Sequence, residues 1–141
     1  MYVFLNPNPK NKMVGDCVIR AISILLSQDW ITTYIGLAIQ GYIDADLPSA
    51  DSVWNNYLMH KGFKRHNVPA QCPDCINVRE FAEQNPEGRY LLFVGGHVVT
   101  VIDGSYYDTW DSGDKTVFYY FQKNTKAAPY RATSAQKEVY A

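Results

Sequence analysis

The hydrophobic period of the chain changes at Asn85-Pro86-Glu87-Gly88, and that change constrains the fold more than any other feature. Before it, apolar residues recur at helical spacing. After it, runs of β-branched and aromatic residues are cut by glycine-containing turns. Helices first and a sheet second is the pattern of an α+β fold, with N-terminal helices packed on a C-terminal antiparallel sheet. At 141 residues, 47% of them hydrophobic, the chain has material for one ordinary core, so a single domain over 1–141 is expected. The stretch 123–141 has little apolar periodicity and reads as a loosely held tail.

Val18, Ile19, Ala21, Ile22, Leu25 and Leu26 predict a buried first helix that begins at or beside Cys17, with Asp16 as its N-cap. A second helix is predicted from Trp30 to Gln40 behind Asp29. A third runs from Ala50 to Lys61, capped by Ser49 and stopped by Gly62, with Trp54 and Tyr57 in the core. Asn77, three residues before Glu80, opens a short helix ending near Gln84 in the manner of a capping box. The prolines of Asn6-Pro7-Asn8-Pro9 make Tyr2 to Val14 a loop, with room for a short strand at its start.

The predicted strands are Arg89 to Val94, His97 to Ile102, Ser105 to Trp110 and Thr116 to Gln122. Gly95-Gly96, Asp103-Gly104 and Ser112-Gly113-Asp114 separate them, and the Asp-Gly pair signals a type I′ hairpin. Phe118 to Phe121 reads as a strand with two buried faces.

Thirteen basic residues against fourteen acidic ones leave a net charge of −1 with no basic block, which argues against a nucleic-acid partner. No apolar run approaches the roughly 20 residues of a membrane span, and the N-terminus lacks the order of a signal peptide, so a cytoplasmic protein without a membrane partner is expected. Three cysteines, an odd number, predict at least one free thiol. Cys72-Pro73-Asp74-Cys75 has the spacing of half a zinc site or a redox pair. Without a second cysteine pair or a histidine pair to complete zinc, a disulfide or a simple turn is the favoured reading, and no metal or cofactor is expected.

A thiol at a helix N-terminus is stabilised as thiolate by the helix dipole and its unpaired amides, and those amides also suit an oxyanion. Cys17 has that position, which makes it the candidate nucleophile. Its base must be an imidazole, and His97, behind two glycines and leading a strand, is the best placed of the three histidines; His60 and His66 receive no role. An acceptor must orient the imidazole, and Asp108 and Asp111 are the candidates. Strand parity separates them. A two-residue turn at Asp103-Gly104 pairs Ile102 with Ser105, sets Val99 opposite Asp108, and places His97 and Asp108 diagonally on one face with Asp111 on the other. The register therefore favours Asp108.

Gly15-Asp16-Cys17 opening a helix, Gly96-His97-Val98-Val99 opening a strand, and Asp108-Thr109-Trp110 after a hairpin together resemble the Cys, His, Asn/Asp order of papain-like cysteine peptidases. The chain's brevity and its long Cys-to-His gap are more similar to the compact bacteriocin-processing peptidases and related phage or bacterial papain-fold proteins. The resemblance covers residues 11 to 111. It implies hydrolysis of a peptide or isopeptide bond in a peptide or protein substrate, through a thioester on Cys17, without a cofactor. It implies that Trp110 shields the histidine pair and that Asn11, six residues before the cysteine where the family has glutamine, helps hold the oxyanion. Two alternatives stay open: a papain-fold binding module or inhibitor, and an acyl transferase of the transglutaminase type.

Overall fold

The computed structural model describes residues 1–123. The predicted tail lies outside the described residues except for Lys123, which ends the last strand. The elements are β1 (Tyr2–Phe4), α1 (Cys17–Leu26), α2 (Trp30–Asp44), α3 (Asp51–His60), β2 (Phe63–Asn67), α4 (Val78–Gln84), β3 (Arg89–Phe93), β4 (Val98–Ile102), β5 (Ser105–Asp108) and β6 (Tyr119–Lys123). The fold is α+β, with four helices and one six-stranded sheet in the order β1-β5-β4-β3-β6-β2.

The sheet is mixed, which corrects the wholly antiparallel expectation. β1 runs parallel to β5, pairing Tyr2 with Tyr106 and Phe4 with Asp108. Hairpin signals are local, whereas a parallel edge pair joins distant segments and no turn residue announces it. The short strand allowed for at the start of the chain is thus β1, and only its pairing is unforeseen, whereas β2, which pairs with β6, is not foreseen as a strand. Its Lys64-Arg65-His66 run shows no alternation because β2 is the outer edge, where charged residues discourage further pairing.

α1 and α3 cover one face of the sheet, where Ile22, Leu25, Trp54 and Leu58 pack with Leu91 and Phe121, and α2 packs on those two helices. α4 covers the other, where Val78, Phe81 and Ala82 meet Leu92, Val99 and Val101. Both faces are buried, so the central strands are apolar at successive positions. Tyr119 and Phe121 join the first core while Tyr120 packs on the second, as a strand with two buried faces requires.

Several boundaries move for physical reasons. α2 continues to Asp44 through Gly41, where a Cβ would lie 2.8 Å from the Asp46 carbonyl oxygen; that glycine admits a close backbone approach inside the helix. α3 takes Ala50 rather than Ser49 as its N-cap, and Asp51 supplies the acidic first turn. β5 ends at Asp108 and β6 begins at Tyr119, both inside the predicted spans. The Asp103-Gly104 turn is as expected: both residues have positive φ, 48° and 81°, and Ile102 pairs with Ser105. Among the described residues no single helix is long and apolar enough to cross a membrane.

The first core depends on Trp54, which is fully buried and whose ring lies 5.7 Å from Phe121 and 6.1 Å from Tyr119. Trp54→Ala is expected to destabilise the fold by about 3–5 kcal/mol in urea unfolding, the usual cost of deleting a buried aromatic side chain. A loss below about 1 kcal/mol would mean that the two cores do not share the load as described.

Candidate active site

Cys17 is the first residue of α1 and is half-buried; it is the free cysteine among the described residues, since Cys72 and Cys75 are joined in a disulfide. The latter pair thus takes one of the two forms favoured from its spacing. α1 is held against the sheet by a buried bond from the Thr100 hydroxyl to the Ala21 carbonyl, 2.6 Å. That contact sets the helix terminus beside the start of β4, where His97 stands.

His97 follows a tight turn in which Gly95 and Gly96 have φ of 81° and 70° and the Val94 amide donates to the His97 carbonyl at 2.9 Å. A Cβ at Gly95 would also approach the Phe118 ring at 3.1 Å, so glycine is required there on two counts. The turn turns the imidazole back over the end of the sheet. Its Nε2 lies 2.6 Å from Asp108 Oδ2, which leaves Nδ1 to face the thiol of Cys17, close enough for each group to shift the other's protonation.

Asp108 closes β5 and is 4% exposed. The Ser112 hydroxyl donates to Oδ2 at 2.8 Å and the Thr109 amide to Oδ1 at 2.8 Å, so the carboxylate is held at both oxygens before His97 is counted. Asp111 serves another purpose: its Oδ1 accepts from the Tyr106 hydroxyl at 2.5 Å and from the Gly113 amide at 3.0 Å. The structure therefore brings Asp108, not Asp111, to His97, in the register expected from the hairpin. Trp110 stands with its ring 4.9 Å from the imidazole and remains 42% exposed, a partial lid over the pair. His60 and His66 lie elsewhere, the first bonded to Gln40 and the second stacked on Tyr120.

Asn11 is not brought into this group. It is exposed, with a positive φ of 53° in a turn closed by its amide to the Asn8 carbonyl, and its side chain bonds to none of Cys17, His97 and Asp108. Asp16 holds the N-cap position of α1, yet its carboxylate caps no amide; it accepts instead from Arg20, from the Trp30 indole at 2.9 Å and from the Asn8 amide at 3.3 Å. Arg20 and Ser112 were not singled out by sequence. For Arg20 a signal existed, a lone cation in the apolar phase of the first helix four residues after an acid. For Ser112, in a turn-like tripeptide, none did.

Burial alone would raise the Cys17 thiol, but the hydrogen bond and charge of His97, the Val98 backbone and the Arg20 guanidinium bring it below its ordinary value. Burial alone would lower the His97 imidazole, yet its hydrogen bonds and charge contacts with Asp108 and Cys17 push it up to about 9. The two shifts point the same way, toward the thiolate–imidazolium form of the pair. Among the described residues no group of three or more His, Cys, Asp or Glu side chains is arranged to hold a metal ion.

Because folding raises the His97 pKa above its ordinary 6.5, the associated stabilisation is complete below that value and is lost as pH rises through about 9. A nuclear magnetic resonance titration of the His97 imidazole should show a midpoint near 9, and Asp108→Asn should bring it down; an ordinary midpoint in the wild-type protein would dissolve the pair. Comparison with known proteins yields no matching family model, no matching curated protein and no matching solved structure.

Proposed function

We propose that the chain is a papain-like thiol hydrolase that cleaves a peptide or isopeptide bond. The observation that supports this best is the hydrogen bond of His97 to the buried Asp108 carboxylate, with Cys17 beside the imidazole at a helix N-terminus. Sequence resemblance supports it independently, since the same three residues carry the Cys, His, Asp order.

The Cys17 thiolate attacks the substrate carbonyl carbon, forming the S–C bond while the carbonyl π pair moves to oxygen. The Cys17 amide, among the unpaired N–H groups of the first turn of α1, receives that oxyanion. Collapse breaks the C–N bond as the imidazolium of His97 gives its proton to the departing amine, leaving a thioester. Water then attacks, His97 takes one of its protons, and the acid product leaves as the thiolate returns. Asp108 keeps Nε2 occupied throughout so that Nδ1 faces the thiol. The scheme calls for no cofactor. If an amine replaces water, the same thioester yields acyl transfer.

A second reading, a binding module built on the same fold, draws support from Asn11, whose exposed side chain leaves the oxyanion with fewer donors than the resemblance implies. A peptide library digested with and without added amine, and read by mass spectrometry, separates the readings. Cleaved or amidated products that disappear in Cys17→Ala support the hydrolase or transferase, whereas an unaltered library that is retained on the protein supports the module. Cys17→Ala should leave the cooperative unfolding transition in place, because a half-buried thiol leaves little cavity behind. Trp110→Ala should lower turnover about tenfold or more while costing under about 1 kcal/mol of stability, since its partly exposed ring screens the imidazole–carboxylate bond from water. Collapse of stability at Trp110 would instead make it a core residue.

A further inference from the structure

Behind the Cys17–His97–Asp108 line lies a buried array that joins Asp108 to two residues the chemistry above does not use, Asp16 and Arg20. Asp16, Arg20 and Asp108 are 5%, 6% and 4% exposed. The Arg20 guanidinium meets Asp16 Oδ1 through Nη1, and its Nη2 lies 3.7 Å from Asp108 Oδ1. Each carboxylate turns its other oxygen to a separate duty: at Asp16, Oδ2 accepts from Trp30 and Asn8, and at Asp108, Oδ2 accepts from His97 and Ser112.

We propose that Arg20 is a positioning residue that bridges Asp16 and Asp108 and so holds the helix start bearing Cys17 in register with the carboxylate that orients His97. The proposal rests on the hydrolase reading of the site and adds a residue to it. Asp16 is the immediate neighbour of Cys17, and Arg20 lies one turn further along the same helix, so the guanidinium spans from the nucleophile's backbone to the base's partner on β5. Arginine suits that span because its planar fork presents two rigid N–H edges, which the single ammonium of lysine does not. Stability is a poor reason to keep such an array, since burying three charges costs about as much as their attraction returns. Fixing the two halves of a reactive pair is a better one, because misplacement by about 1 Å costs on the order of a hundredfold in rate.

Asp16→Asn tests the bridge by the sign of its effect. By charge alone, removing a carboxylate beside Cys17 favours the thiolate and speeds alkylation at low pH. Through the bridge it does the reverse. Both Asp16 oxygens accept from donors, so an amide nitrogen at either place faces an N–H, Arg20 is released, and the helix start that carries Cys17 loses its tie to Asp108, which Thr109 and Ser112 continue to hold.

Iodoacetamide labelling of the full chain reads the free Cys17 while Cys72 and Cys75 are tied in their disulfide. At pH 6, Asp16→Asn and Arg20→Lys are each expected to label about tenfold more slowly than wild type, the effect of raising the thiol pKa by one unit. Thermal unfolding of each variant is followed alongside, and either variant that stays folded decides. Labelling at the wild-type rate or faster in a folded variant overturns the bridge while the reactive pair stands. If wild type at pH 6 labels no faster than the urea-unfolded chain, the reactive pair itself fails, a result distinct from failure of the bridge.

Discussion

The hydrogen bond between the Thr100 hydroxyl and the Ala21 carbonyl, 2.6 Å long and fully buried, marks the contact on which the candidate site depends. It fastens the middle of α1 to the middle of β4. With that pairing fixed, the N-terminus of α1 reaches the same end of the sheet as the turn before β4, and Cys17 meets His97 although eighty positions separate them in the numbering. Apolar contacts of Ile22 and Leu25 with Leu91 supply the adhesion; the threonine supplies the register, because a hydroxyl must find one particular carbonyl whereas methyl groups slide.

Much of this was legible in the sequence, and the reasons differ by element. The Asp103-Gly104 turn fixes a hairpin without any tertiary information, so the choice of Asp108 over Asp111 followed from counting along two strands. Cys17 could be placed at a helix start because the apolar period begins immediately after it. Asn11 was placed by spacing from Cys17 alone, and spacing says nothing of direction: a left-handed residue in the loop turns its side chain to solvent. The parallel pairing of β1 and the edge strand β2 escaped because both are set by distant partners rather than by local pattern.

Asp16 shows how a residue can be located correctly and its role misread. An acid before a helical run is ordinarily a cap, but Arg20, one turn away in the apolar phase, and Trp30, on the next helix, compete for the carboxylate and win it. Charged partners bind more strongly than a backbone amide when all are withdrawn from water. The result is a polar seam between helix and sheet, running from Asn8 through Asp16 and Arg20 to Asp108 and His97, inside a mainly apolar interface. Such a seam is costly as packing and useful as alignment, and it ends at the His97–Asp108 pair that faces Cys17.

The central claim is that Cys17 is a nucleophile activated by His97 and oriented through Asp108. Its most direct test is to mix the protein with an activated ester, quench the reaction early and locate the acyl group by peptide mass spectrometry. The account predicts one acyl group per chain, on Cys17, formed with a burst in the wild type and strongly slowed in His97→Ala. Acylation spread over lysines and tyrosines, or a Cys17 adduct that forms at the same rate without His97, would contradict it.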